Sequence, residues 1–426
     1  MAESTEHTRS YYAATAREQT AYPALVGEHD CDVAIVGGGF TGVAAALRLS
    51  ELGYSVGLVE SARIGWGASG RNGGQLIDNF IDVKHIRRKL GSRAAELAAV
   101  MNVECRNILV DNIERYGIEC DLRFGFLDLA TKPKDVVYLR NQLQAKQQDG
   151  YPHRLEYVEG AELAKHIGSR KYVGALVNHG NGHLHPLDLC VGEARAAAGL
   201  GARLFEQSRA TRIVHGAKPA VETERGVLRA DKVILAGNAY LGSTEPRLAG
   251  LVVPAGTYMI ATEPLSADLA DELLPQNAAC CDQRIGLDYF RLSPDRRMLF
   301  GALCNYSGRR PKDITATIRQ RMENVFPQLR GVAVDYEWGG DIAISIIRVP
   351  QLGRVSENVL YAQGYSGHGV APTHLAGHIL AETIEGNEER FNVFSRMKHW
   401  RLPGGKWFAN PALAIGMGYY RLKDLF

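Results

Sequence analysis

The residues whose types and spacing are best suited to chemistry are Gly37, Gly39 and Gly42, in the run Gly37-Gly38-Gly39-Phe40-Thr41-Gly42, together with Glu60. Glycines in a GxGxxG pattern let the chain turn tightly, bring backbone amides against a pyrophosphate, and pack a helix close to a strand. A helix starting there offers unpaired N–H groups and a positive dipole end to phosphate oxygens. A carboxylate ending the next strand accepts ribose hydroxyls and disfavours a 2′-phosphate. The chemistry is dinucleotide binding. Glu60 argues against NADP but does not separate NAD from FAD, since both carry the same ADP moiety.

Such a site needs a strand, a helix and a second strand in register. Asp32-Val33-Ala34-Ile35-Val36 is a β-branched run suited to a strand buried on both faces. Val43 to Leu52 is alanine- and leucine-rich and predicts a helix, closed by Gly53. Ser55 to Val59 predicts the second strand, which delivers Glu60. Strand, helix, strand and acid together form the dinucleotide signature.

The glycine-rich stretch Ser61 to Gln75, with Ser69, Arg71 and Asn72, predicts neither helix nor core strand. It allows close backbone approach to a planar ligand. Its run Gly67-Ala68-Ser69-Gly70-Arg71-Asn72-Gly73-Gly74-Gln75 resembles the D-amino-acid oxidase superfamily of flavoproteins. That resemblance implies FAD, with Ser69, Gly70, Arg71, Asn72, Gly74 and Gln75 lining it. The ADP half would then lie on Gly37, Gly39, Phe40, Thr41, Gly42, Glu60 and Ser61.

Three later stretches carry the same resemblance. The strand ending in Ala236-Gly237-Asn238-Ala239 matches the element that closes over adenine and pyrophosphate. Val359 to Ala371 predicts strand, glycine turn and then a helix running to Ile384. By resemblance this turn, with Gly367, His368, Gly369 and Val370, meets the pyrimidine end of the flavin, where the helix dipole stabilises negative charge. Gly339, in Trp338-Gly339-Gly340-Asp341, is assigned to the same cofactor. Asn181-Gly182-His183-Leu184-His185-Pro186-Leu187 matches a string that in flavin amine oxidases lies in a loop returning to the flavin domain. His368, Tyr365 and Gln75 are expected at the reacting centre. Tyr289, Arg291 and His185 are expected around the substrate, with Arg291 suited to a carboxylate.

Composition excludes other classes. The chain has 426 residues and a net charge of +2, with no electrostatic footprint for nucleic acid. No run approaches the roughly 18 apolar residues of a membrane span, and the polar N-terminus is not a secretory signal. The seven cysteines are odd in number, lack metal-ligand spacing and suit a reducing, cytoplasmic compartment. His183-Leu184-His185 alone lacks the further ligands of a zinc or iron site, so no metal is expected.

The remaining pattern predicts an arm over 1–30, in which Ser10-Tyr11-Tyr12-Ala13-Ala14 packs on the body. Helical pattern runs from His85 to Ile118, with Gly117 as terminator; a strand over Phe124–Ala130 and a helix over Asp135–Gln148 follow. A helix is expected over Val191–Gly199. Strands are expected over 202–205, 210–215, 251–262, 287–292 and 298–303, and a helix over 313–326. The fold class is α/β with mixed α+β character, a Rossmann-like FAD-binding domain with an inserted antiparallel-sheet substrate domain. The FAD-binding parts are expected at 31–90, 156–245 and 336–426, and the substrate parts at 91–155 and 246–335.

The order of these motifs is similar to that of the branch of the superfamily acting on gamma-glutamylated diamines. The resemblance implies an oxidase of a terminal primary amine. Hydride would pass to flavin N5, water would release aldehyde and ammonia, and oxygen would yield hydrogen peroxide. Relatives that attach flavin covalently use a cysteine before the last motif or a histidine near the glycine loop. Trp338–Asp341 and Gly67–Asn72 contain neither, so FAD is expected to be non-covalent. Arg309-Arg310-Pro311-Lys312 lies nearest the strand where some relatives carry an oxygen-promoting lysine. It leaves open the alternative of an FAD-dependent amino-acid or secondary-amine dehydrogenase using a quinone or carrier. The expected partners are the small-molecule amine and oxygen, with a homo-oligomer left open.

Overall fold

Val33, Ala34, Ile35 and Val36 are all buried because both faces of their strand are covered. Val33 and Ile35 pack with Val43, Leu47, Leu375 and Ile379 of two helices, whereas Ala34 and Val36 pack with Phe205, Val221 and Leu241 on the other side. In the computed structural model, which describes residues 4–284, 286–305 and 311–401, this strand is Gly27–Val36 and sits inside an eight-stranded sheet. It pairs in parallel with Gly226–Leu235 and with Val56–Val59, and these pair in parallel with Val359–Gln363 and Arg203–Phe205. Gln351–Ser356 closes one edge antiparallel. A parallel sheet covered on both faces is what a continuous apolar run demands.

The helices Phe40–Glu51 and Pro372–Ile384 each follow a parallel strand, so both begin at the carboxyl edge of this sheet. They touch closely. A Cβ on Gly377 would lie 2.7 Å from the Ala45 nitrogen, so only glycine permits this approach. The first helix begins earlier than the expected Val43, at the glycine motif itself.

The second sheet has nine strands, mostly antiparallel, with Tyr289–Leu292 and Ala279–Asp282 near its centre. One face packs Phe290, Phe300 and Cys280 against Ile318 and Met322 of the helix Ile314–Val325. The alternate residues, Tyr289 and Cys281 among them, face the first sheet across a cleft.

Strand pairing moves the expected boundaries. Leu155–Glu159, Gly174–His183 and Val334–Ser345 pair in the second sheet, although they were assigned wholly or largely to the FAD-binding parts. Of the stretch Asn181–Leu187, expected in a loop, Asn181–His183 end the strand Gly174–His183 and Pro186–Leu187 open the helix Pro186–Gly199, leaving only Leu184 and His185 between elements. Conversely, Met101, Cys105, Ile108 and Leu109 of the helix Ser92–Tyr116 join Val43 and Leu375 in the core beneath the first sheet. The helical stretch from His85 is also two helices, Val83–Leu90 and Ser92–Tyr116, broken at Gly91 (φ +88°) and ended by Gly117 in the left-handed region. Ala220–Thr223, Ala267–Leu273, Ala279–Asp282 and Glu389–Ser395 are elements that periodicity did not reveal.

The arm does pack on the body. Tyr11–Thr15 is a short helix capped by the Ser10 hydroxyl, and Tyr12 is buried against Trp338 and Leu187. Arg309 and Arg310, and the tail beyond 401, lie outside the described residues.

Candidate active site

At the carboxyl edge of the first sheet, Gly37 adopts φ +112°, and a Cβ there would meet the Ala236 carbonyl oxygen at 2.8 Å. A Cβ on Gly42 would lie 1.9 Å from the Gly37 oxygen. The turn and the helix–strand contact therefore exclude any side chain. The Gly38 amide donates to Glu60 Oε2 at 2.7 Å, while the Ala62 amide and the Ser61 hydroxyl donate to Oε1. Burial raises the Glu60 pKa against these donors, which favour the carboxylate.

The helix Phe40–Glu51 begins at Gly39, which has no side chain to cap it. The Phe40 amide donates to Ser69 Oγ at 2.9 Å, which docks the glycine-rich loop on the helix start. Asn72 ties that loop to itself, donating to Ala68 O and Ser69 O and accepting from the Gly74 amide. Arg71 lies over the Trp66 ring at 4.1 Å and donates to Gly339 O.

Gly37, Gly39, Phe40, Glu60, Ser69 and Asn72 line a cleft of about 1200 Å³ with Thr41, Ala236, Gly237 and Tyr365. A second cavity of about 1260 Å³ lies against the second sheet, lined by Arg71, Gln75, Tyr289, Arg348 and His368. Both volumes include their open mouths. The two share Ala68, Asn72, Ile342, Ser366, Gly367, Gly369 and Val370, so they form one continuous path. The shared wall is the glycine turn before the helix Pro372–Ile384, which also lacks a side-chain cap.

Several expected residues are placed differently. Gly42, Gly70, Gly74 and Gly339 do not line the cleft. They are packing glycines, since a Cβ on Gly70 would meet Gly65 O at 2.4 Å, on Gly74 Leu184 O at 2.2 Å, and on Gly339 the Tyr258 ring at 2.4 Å. Tyr365 belongs to the nucleotide half, where its hydroxyl pairs with Thr41 Oγ1 at 2.8 Å. Arg291 is 3% exposed and lines neither cavity. Its guanidinium donates to Gly73 O, Leu184 O, Leu292 O and the Tyr12 hydroxyl, so it locks the loop to the sheet and the arm. His185 is also absent from the lining. Its Nδ1 accepts from the Asp188 amide as a helix cap, so Nε2 carries the hydrogen facing Thr15 Oγ1. Burial pushes its pKa down to about 3, which keeps the ring neutral.

His368, an exposed residue, lines the second cavity, where desolvation by the surrounding wall and the charge of Arg348 lower its pKa. Gln75 lines the same space and donates to Cys280 O at 2.9 Å. Tyr289 forms part of the wall. Arg348 carries no sequence expectation. It is an exposed cation at the cavity in the left-handed region, φ +53°. An arginine held there is a strained feature of the kind that clusters at functional sites. Among the described residues no group of three or more His, Cys, Asp or Glu is placed to hold a metal. No helix among them is long and apolar enough to cross a membrane.

A helix start whose N-cap residue is glycine, a carboxylate at the end of the second strand and a cleft running on to a second helix start without a side-chain cap fit a long dinucleotide with a planar group at its far end. The family profile described as DAO, FAD dependent oxidoreductase, matches residues 32–383.

The chain belongs to the DAO family of FAD-dependent oxidoreductases.

This DAO-family enzyme is similar to the gamma-glutamylputrescine oxidoreductase of Escherichia coli strain K12, 42% identical over 99% of each chain. It is 37% identical to the probable oxidoreductase OrdL of Haemophilus influenzae, over 99% of this chain and 98% of that one. Among solved structures, glycine oxidase from Geobacillus kaustophilus superposes with a TM-score of 0.73 at 22% identity, covering 87% of this chain and 100% of the other. L-proline dehydrogenase from P. horikoshii gives 0.70 at 18% identity, covering 92% and 99%. The fold is thus of D-amino-acid oxidase type, and the cofactor of this enzyme is FAD.

Proposed function

We propose that this enzyme oxidises the terminal primary amine of gamma-glutamylputrescine, or of a related gamma-glutamylated polyamine, in putrescine breakdown. The products are the aldehyde, ammonia and hydrogen peroxide. The observation that carries the reading is the 42% identity, across 99% of both chains, to a gamma-glutamylputrescine oxidoreductase. FAD, held non-covalently, would supply the acceptor for the amine's electrons, with oxygen as the terminal oxidant.

The chain's own residues orient and desolvate. The Phe40–Glu51 helix start and Glu60 would hold the ADP moiety, and the turn at Gly367–Val370 would support the pyrimidine end. Tyr289, Leu287 and Ile344 enclose an aliphatic chain, which must reach the ring as a neutral amine. His368, uncharged at neutral pH because its pKa is lowered, adds no positive charge that would disfavour substrate binding. Arg348 replaces Arg291 as the cation suited to the glutamyl carboxylate.

The test is anaerobic mixing of the purified yellow protein with gamma-glutamylputrescine, followed by air. Bleaching and then recovery with peroxide is the expected result. Bleaching without rapid recovery would make the enzyme a dehydrogenase using another acceptor, and no bleaching would remove the substrate assignment.

A further inference from the structure

Beneath the turn shared by the two cavities lies a buried polar chain that no step above uses. His374, in the first turn of the helix Pro372–Ile384, and Glu193, in the helix Pro186–Gly199, are both 0% exposed. His374 Nδ1 lies 2.7 Å from Val370 O, and Nε2 lies 3.0 Å from Glu193 Oε2. The other Glu193 oxygen accepts from Asn112 Nδ2 at 2.9 Å. The Phe40 ring packs 5.2 Å from the imidazole, so the histidine sits between the two helix starts.

The hydrogen count is constrained by these partners. A carbonyl oxygen only accepts, so Nδ1 carries a hydrogen. The contact between Nε2 and the carboxyl group then needs one further proton, held by either partner. Imidazolium with carboxylate and imidazole with carboxylic acid satisfy every bond equally, and both are neutral overall. A buried pair of this kind avoids the cost of an unpaired charge. The proton is free to shift toward the imidazole when negative charge appears nearby.

The pair is coupled to the cleft through one peptide. Val370 lines both cavities, and His374 draws its carbonyl inward. In a trans peptide the following N–H points the opposite way, so the Ala371 amide is directed away from His374.

We propose that His374 and Glu193 share one proton and, acting through the Val370–Ala371 peptide, stabilise negative charge at this end of the bound flavin. Both are positioning residues. The inference rests on the FAD assignment and on the family, not on the identity of the amine.

Glu193→Gln separates this role from bracing. Glutamine keeps the bond from Asn112 through its oxygen and donates through its amide to a neutral His374, while removing the shared proton. Two properties of the holoenzyme are read: the midpoint potential of the flavin, and the dissociation constant of sulfite, which adds to an oxidised flavin and leaves negative charge on its ring. The expected result is unchanged FAD content and melting temperature, a lower potential, and sulfite binding weakened about tenfold, the scale on which a preorganised donor or dipole acts in a dry site. An unchanged potential and sulfite constant in the folded variant would overturn the proposal and leave a brace. Should Glu193→Gln fail to accumulate, His374→Asn keeps a donor toward Val370 O without a chargeable ring. The same losses are expected there, and their absence would overturn the proposal equally.

Discussion

The Phe40 amide donates to the Ser69 hydroxyl at 2.9 Å, so the start of the first cofactor helix and the glycine-rich loop form one surface. A Cβ on Gly39 would lie 2.8 Å from that same hydroxyl. Replacing Ser69 with alanine removes the acceptor and with it the contact that docks the loop on the helix start. FAD affinity is expected to fall about fivefold, in line with the ~1 kcal/mol of a lost cap. Titration of apoprotein with FAD reads this directly, and affinity equal to wild type would show that the loop is held elsewhere.

Arg291 and Arg348 divide the roles that the sequence assigned to one arginine. Arg291→Met strips donors from Gly73 O, Leu184 O and Leu292 O, and is expected to destabilise the fold by about 3 kcal/mol or more. Arg348→Met removes an exposed side chain and should change stability by no more than about 0.5 kcal/mol. It should raise KM for a carboxylate-bearing amine roughly ten- to hundredfold, as for a lost hydrogen bond to a charged group. Denaturant melts and steady-state kinetics on the two variants check the division, and the reverse pattern would restore Arg291 as the substrate residue.

His368 faces the substrate half of the cleft, whereas Tyr365 holds Thr41 in the nucleotide half. His368→Ala should therefore slow anaerobic flavin reduction by about a hundredfold, the lower end of the range for a polar catalytic group, with little loss of FAD. Stopped-flow reduction against FAD retention on gel filtration measures both. An unchanged reduction rate would make the histidine a brace of the turn.

Asp128, on the strand Arg123–Ala130 and paired in register with Cys281, accepts from Gln283 at 3.2 Å. Burial pushes its carboxyl up to about 6 from an ordinary 3.8. The folded state therefore holds this proton more tightly than the unfolded chain, and the group's contribution to stability falls as pH rises from about 4 to 6. Asp128→Asn is expected to stabilise the protein by about 1–3 kcal/mol above pH 6, with the gain vanishing near pH 4. Melting curves across that range provide the check; a variant less stable than wild type at neutral pH would show that the charge is needed.

Much of the cofactor half was legible because local rules govern it. Gly37, Gly42 and Glu60 belong to one short β-α-β unit, where turn geometry, close packing and ribose recognition each demand a particular residue type. The substrate half was less legible. Its walls come from strands far apart in sequence, and strand alternation sends neighbours such as Tyr289 and Phe290 to opposite faces. That Arg291 is consumed by backbone carbonyls, and that Arg348 stands free at the cavity in a left-handed conformation, depends on tertiary contacts that no spacing encodes. His185 was misplaced for a related reason: a histidine before Pro186 serves as a helix cap, a local role that family likeness to a catalytic loop concealed. The Glu193–His374 pair joins residues from separate helices, and neither stands in a motif.

The central claim is that one FAD lies along the whole cleft, with its ADP moiety at the Phe40–Glu51 helix start and its ring at Gly367–Val370. A crystal structure of the holoenzyme tests it most directly. The account predicts ribose hydroxyls within hydrogen-bond distance of Glu60 and the pyrimidine edge of the ring against the Gly367–Val370 turn. A ring seated at Glu60, or a cofactor that leaves either helix start untouched, would contradict it.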